Sequence, residues 1–401
     1  MGSFERKLED IKARGLYRQM RYFESPQGPH ARMNGQDFII LSSNSYLGLC
    51  HDERLRRAAM EAIEKYGVGS GGSRLTTGSY EIHRQLEEAI AALKGTEAAL
   101  IYNTGYMANV GTISALADRE WVIFSDSLNH ASIIDGCRLS GAETVVYEHV
   151  NTADLERKIK VSRKGRPALI VTDGLFSVDG DIAPLPDIAA IAQAHDIMVM
   201  VDDAHATGVL GPEGCGTVEH FKLHDAIDIQ MGTLSKALAG EGGFVAAKRV
   251  LIDYLINRAR SFIFSTALSP VTIAVALKAV EIIRLEPETR ERLIANTLWF
   301  RNHLRAAGFK IMESGTPIIS LVIGKAEAAM LFSKLLYERG IFVTAIRPPT
   351  VPFGTSRLRI SIMATHTKAD LEKALSDIET VGRALGVLKT QRIHRNGRAK
   401  D

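Results

Sequence analysis

The stretch Met198-Val-Met-Val-Asp-Asp-Ala-His205 decides the fold. Four apolar residues without polar alternation run into two acids and a histidine. That is the pattern of a strand covered on both faces whose end carries polar chemistry. Working outward, similar apolar runs stand at 98–102, 121–124, 144–147, 168–171, 243–246 and 262–264, with helical patterns such as 186–195 between them. This βαβα rhythm predicts an α/β fold with a mostly parallel sheet, helices on both faces and ligands bound at the carboxyl ends of the strands.

After Pro270 the rhythm changes. Helical patterns at about 271–285 and 288–307 lead to strand patterns at 318–323, 341–343 and 358–362. A last helix carries Leu371, Leu375, Ile378, Val381 and Leu385 as one apolar stripe, completing a smaller α+β C-terminal domain. The expected organisation is an N-terminal helix and arm (1–45), a large domain (46–285), a small domain (286–390) and a polar tail (391–401).

The 401 residues are 46% hydrophobic and 24% charged, an ordinary globular composition. Their 49 basic and 46 acidic side chains leave +3, which argues against a nucleic-acid or membrane partner. Cys50, Cys137 and Cys215 are far apart and form no C-x-x-C pair, so neither a disulfide framework nor a metal is expected. With no long apolar run and no signal-like start, the expected setting is cytoplasmic. Residues 67–72, Gly-Val-Gly-Ser-Gly-Gly, satisfy G-x-G-x-x-G. They follow a helical pattern rather than a strand, so they read as a helix cap and a flexible loop, not a dinucleotide fingerprint.

Three strand ends are rich in polar groups: Asp202-Asp-Ala-His205, Gly232-Thr-Leu-Ser-Lys236 and Asp173-Gly-Leu-Phe-Ser177. A lysine among small residues can sit against a ligand ring, where partial burial lowers its pKa and makes it a nucleophilic amine. A nearby carboxylate could pair with a cofactor's ring nitrogen. The residues alone also allow Lys236 to be a solvated charge, and Asp202 with His205 to be a helix cap or a metal pair.

Five motifs in register resemble the α-oxoamine synthases: Ser43-Asn-Ser-Tyr-Leu-Gly48, Asp126-Ser-Leu-Asn-His-Ala-Ser132, Asp173-Gly-Leu-Phe-Ser-Val-Asp-Gly-Asp181, Asp202-Asp-Ala-His-Ala-Thr-Gly208 and Gly232-Thr-Leu-Ser-Lys236. These are pyridoxal-phosphate-dependent enzymes of the aspartate-aminotransferase type, fold type I. They join an amino acid to an acyl-coenzyme A and release carbon dioxide. The resemblance covers about residues 15–386. Within the family, Ala345-Ile-Arg-Pro-Pro-Thr-Val-Pro352 and Gly354-Thr-Ser-Arg-Leu-Arg359 are most similar to the biotin-pathway member, which uses L-alanine and pimeloyl-coenzyme A. The alternatives are a member using glycine and acetyl-coenzyme A, or a promiscuous one. A non-catalytic scaffold would be expected to have lost Lys236 or Asp202.

The resemblance implies roles. Lys236 holds the cofactor and takes the substrate's α-proton. Asp202 keeps the ring nitrogen protonated, and His205 and Ser177 lie beside the ring hydroxyl. His130 stacks on the ring, although it could instead be only a helix cap. Gly105, Tyr106 and Thr233 hold the phosphate, and Thr266 reaches it from the second subunit of a homodimer with composite sites. Arg357 and Arg359, two apart on a strand, share a face, so spacing cannot choose between them. The resemblance favours Arg359, with Asn44, as the grip on the substrate carboxylate. Arg18 or Arg21 would meet the acyl donor. Ser45 and Ala206 depart from the aspartate and glycine expected in many relatives.

Overall fold

In the computed structural model, which describes residues 2–388, most of the apolar runs become strands. The polar tail expected at 391–401 lies outside the described residues. The first strands are β1 (His30–Met33) and β2 (Gln36–Ile40). The large unit supplies β3 (Ala98–Tyr102), β4 (Val122–Asp126), β5 (Glu143–Tyr147), β6 (Ala168–Asp173), β7 (Met198–Asp202), β8 (Ile229–Thr233) and β9 (Gly243–Ala247). Then come β10 (Ile318–Gly324), β11 (Ile341–Phe342), β12 (Thr344–Ile346) and β13 (Ser356–Ser361).

Strands β3 to β9 form one seven-stranded sheet in the order β3-β9-β8-β7-β6-β4-β5. Only β9 runs against the others. Helices cover both faces, which is why β3, β4, β6, β8 and β9 are buried throughout and read as unbroken apolar runs. Gln230 sits in the middle of β8 because its amide donates to the Lys94 carbonyl at 3.1 Å.

One expected strand is absent. The run at 262–264 falls largely in the short helix Arg260–Ile263, where Phe262 packs edge-on against Tyr102 with ring centroids 5.9 Å apart. Three consecutive apolar residues cannot by themselves distinguish a strand from a buried helical turn.

The stretch read as an arm contains a hairpin. Asn34 and Gly35, with φ of 51° and 71°, turn β1 back onto β2. Asn-Gly favours such a two-residue turn because both residues tolerate positive φ. β2 then pairs in parallel with β11, so the start of the chain and its last third share a sheet. A third sheet, β10-β13-β12, is antiparallel. It docks on the loop after β6: the Ser320 hydroxyl donates to the Val178 carbonyl at 2.7 Å, and the Thr316 hydroxyl to the Gly180 carbonyl at 2.8 Å. That docking carries β13 to the carboxyl ends of the large sheet. Among the described residues, no helix is long and apolar enough to cross a membrane.

Candidate active site

Parallel strands deliver their terminal side chains to one edge. Asp173 and Asp202 end β6 and β7 there as register partners. Beside them lies a cavity of about 200 Å³ lined by residues from the ends of several strands. Gly105, Tyr106, His130, Ser177, Asp202, His205, Thr233 and Lys236, all named from the sequence, line it. Asn109, Ser132, Asp173 and Ser235 line it too, with no role assigned to them from the sequence. Asn109 lies one helical turn beyond Gly105, a spacing that could have found it.

The cavity's charges are held by specific donors. Asp202 is buried; its Oδ1 accepts the Ala204 N–H at 2.8 Å and its Oδ2 the Asn109 amide at 2.7 Å. The second N–H of Asn109 goes to the Ser132 hydroxyl at 2.9 Å, which fixes the amide's orientation. One residue on, Asp203 pairs with Lys94 at 3.0 Å, both side chains fully buried, and this anchors the turn that carries Asp202 and His205. Burial lowers the Lys236 pKa, against the raising charges of Asp202 and Asp173. Burial pushes Asp173 well above the usual carboxylate range, and the neighbouring Asp202 charge adds to this. His205 is held well below its ordinary value by burial and by the charges of Lys236 and Arg359. His130 is lowered by burial as well. An amine with a lowered pKa beside carboxylates suits nucleophilic attack and proton transfer.

His130 both caps a helix and lines the cavity. Its Nδ1 caps the helix Ala131–Ser140 by accepting the Ser132 N–H at 3.3 Å, while the ring lines the cavity. Its own N–H donates to Asp173 at 2.9 Å.

At the other end of the cavity the helix Gly105–Leu116 begins. Thr104 caps it by accepting the Met107 N–H at 3.0 Å, which leaves the Gly105 and Tyr106 N–H groups at a positive helix terminus. A Cβ on Gly243 would stand 2.6 Å from the Gly105 Cα and N, so the backbones meet only because residue 243 is glycine. The Thr233 hydroxyl donates to the Gly242 carbonyl at 2.8 Å and lies 2.8 Å from Ser235 Oγ. Pyridoxal phosphate requires an anion cup, a buried carboxylate and an amine. The helix terminus with Thr233 and Ser235, Asp202, and Lys236 supply these groups around one cavity, so the residues fit it.

The two arginines separate in the structure. Arg357 is paired with Asp179, and its Nε donates to the Thr355 carbonyl at 2.9 Å. Arg359 has no carboxylate partner among the described residues. It donates to the Ser177 carbonyl (2.5 Å), Ser361 Oγ (2.7 Å) and Asn44 Oδ1 (3.0 Å). Asn44 and Arg359 therefore stand together, next to the cavity rather than lining it, and Tyr46 links them to His205. Arg21 is stacked on Tyr337 and Phe342, at 4.9 and 5.2 Å from the ring centroids. Thr266 does not line the cavity of its own chain. It forms a bridge with Ser73, and Ala267 donates to the Gly72 carbonyl at 2.9 Å, tying this segment to the glycine-rich loop. Gly67 ends the helix Glu53–Tyr66 and donates to Ile63, as a cap does.

The family model for aminotransferase class I and II matches residues 36–378. An 8-amino-7-oxononanoate synthase from Lysinibacillus sphaericus is 52% identical over 96% of this chain and 99% of its own. One from Citrifermentans bemidjiense is 50% identical over 97% and 100%. A solved structure of SPT holding PLP as an internal aldimine superposes with a TM-score of 0.92 at 34% identity, covering 96% of this chain and 98% of that one.

Proposed function

The chain belongs to the class I and II aminotransferase family and, within it, to the pyridoxal-phosphate-dependent α-oxoamine synthases; we propose on that footing that it condenses L-alanine with pimeloyl-coenzyme A to give 8-amino-7-oxononanoate, coenzyme A and carbon dioxide. The observation that carries this reading is the presence of both a buried amine, Lys236, and an arginine, Arg359, that lacks an acid partner among the described residues. One can move a proton and the other can hold a carboxylate.

Bound pyridoxal phosphate supplies an electron sink for the carbanion formed at the substrate's α-carbon. Lys236, whose ammonium form is disfavoured by burial, holds the cofactor, takes the α-proton and later returns a proton to the product. Asp202, with one N–H donor fixed on each oxygen, has lone pairs left to accept a proton-bearing ring nitrogen. Gly105, Tyr106, Thr233 and Ser235 hold the phosphate, His205 and Ser177 the ring hydroxyl, and His130 covers the ring. Arg359 and Asn44 hold the alanine carboxylate during condensation, because that group must leave only afterwards. A carbon–carbon bond then forms at the thioester carbonyl as the carbon–sulfur bond breaks, and loss of the carboxylate as carbon dioxide follows.

In this reading residues 46–285 hold the cofactor, and the carboxylate grip joins Arg359 of 286–390 with Asn44 of the 1–45 arm. The enzyme works as a cytoplasmic homodimer, with the three thiols unpaired. The exposed Thr266, lying outside its own cavity, supports a role in the partner's site. Mixing Lys236→Ala with Thr266→Ala subunits should then restore activity, since each hybrid carries one intact site. No gain on mixing would remove the composite dimer.

The deciding measurement is coenzyme A release with alanine, glycine or serine against pimeloyl, acetyl and palmitoyl thioesters. Alanine with the pimeloyl donor should be fastest. Preference for glycine and acetyl-coenzyme A would replace this reading with a glycine C-acetyltransferase, and no release with any pair would end it.

A further inference from the structure

Tyr46 lies in the first quoted motif, yet the reaction as described gives it no part. Its side chain is 1% exposed, and its hydroxyl meets three groups: His205 Nδ1 at 2.7 Å, Asn44 Oδ1 at 3.4 Å and Arg359 Nη2 at 3.4 Å. Arginine can only donate, so the phenol oxygen accepts there. The single phenol proton then goes to His205 or to Asn44. Both 3.4 Å contacts are long for their kind whereas the approach to His205 is short at 2.7 Å, and Asn44 Oδ1 already accepts from Arg359 at 3.0 Å. His205 Nδ1 is left as the acceptor.

We propose that Tyr46 is a positioning residue, whose hydroxyl holds His205 as the Nε2–H tautomer and ties that donor to the Arg359–Asn44 pair. A neutral imidazole that accepts at Nδ1 carries its proton on Nε2. His205 lines the cavity, and its Nε2 has no protein partner among the described residues, so this N–H is the one available to a ligand oxygen. Burial together with the charges of Lys236 and Arg359 keeps the imidazole neutral. The chain Arg359–Tyr46–His205 thus connects the group proposed to grip the substrate with the group proposed to face the cofactor's hydroxyl. The catalytic meaning of this link rests on the proposed function; the tautomer itself does not.

The test reads the histidine directly. In cofactor-free protein labelled with ¹⁵N-histidine, with His205 assigned by comparison with His205→Asn, Nε2 should be protonated and Nδ1 should show the shift of a bare acceptor nitrogen. In Tyr46→Phe the His205 signals should move toward the other tautomer. After reloading with pyridoxal phosphate, kcat/KM for the amino acid should fall about tenfold, the worth of about one hydrogen bond. A proton on Nδ1 in the unsubstituted protein overturns the proposal, and so does a Tyr46→Phe spectrum identical to it. Should the variant fail to fold, the spectrum of the unsubstituted protein still decides. Because that spectrum needs neither cofactor nor substrate, the expected tautomer in a chain that releases no coenzyme A would sink the proposed reaction alone.

Discussion

Asp173 and Asp202 are register partners on adjacent parallel strands, which places two buried carboxylates beside one amine. Their environments differ. Asp202 is held by side-chain and backbone N–H donors, whereas burial, with the Asp202 charge, raises the Asp173 pKa well above the usual carboxylate range and favours its protonated form. Asparagine mimics a protonated acid. Asp173→Asn should therefore bind pyridoxal phosphate nearly as tightly as the unsubstituted protein. Asp202→Asn should bind between about tenfold and a hundredfold more weakly, as for loss of a charge-assisted hydrogen bond. Fluorescence titration of the cofactor-free proteins measures both.

The arginine pair on β13 should split by phenotype. Arg357→Ala breaks a largely buried ion pair with Asp179 and should cost about 3 kcal/mol of stability in urea unfolding. Arg359→Ala removes the fork next to Asn44 and should raise KM for the amino acid with a much smaller stability loss. Similar stability losses with unchanged KM in both variants would remove Arg359 from substrate binding.

A second histidine ties the strand ends together. His149 lies between Asp126, at 3.0 Å, and Asp181, at 2.8 Å, joining the loop that leads to His130 with the loop after Ser177. Burial disfavours its cation, but hydrogen bonds and charge from both acids overcome this and raise its pKa to about 10. With the folded value above the unfolded value of about 6.5, the stabilisation is complete below about pH 6.5 and is lost as pH rises through about 10. The stability difference between the unsubstituted protein and His149→Gln should shrink between pH 7 and pH 10 in urea unfolding. A constant difference would mean that the imidazole is uncharged.

Gly243 is a steric test of the anion cup. Alanine there must displace the Gly105 backbone, because the new Cβ would approach it to 2.6 Å. Gly243→Ala should weaken pyridoxal phosphate binding about tenfold or more while leaving binding of unphosphorylated pyridoxal nearly unchanged. Equal loss for both would place the phosphate elsewhere.

Most of the large sheet was legible because strands buried on both faces write themselves as apolar runs, and parallel topology then points to their ends. The hairpin at 30–40 was missed although Asn34-Gly35 announces it, since β1 and β2 are short and half exposed. The run at 262–264 was misread because burial alone marks no periodicity. Arg359 could not be separated from Arg357 by spacing. What separates them is Asp179, a partner 178 residues away, and only the fold brings it close. His149 was invisible for the same reason, since it acts through Asp126 and Asp181, 23 and 32 residues away, whereas Asn109 could have been reached from its helical spacing to Gly105.

The parallel pairing of β2 with β11 also bears on synthesis. Ile39 waits for Ile341, and Asn44 for Arg359, so a nascent chain can assemble its central sheet long before either meeting takes place. Until the ribosome has released that final third, the emerging strand at 36–40 exposes a naked edge to other molecules. The pair proposed to grip the amino acid is thus the last part of the machine to be born, and slowed translation beyond residue 285 should lengthen a chaperone-dependent interval rather than damage the strand ends of the central sheet already made.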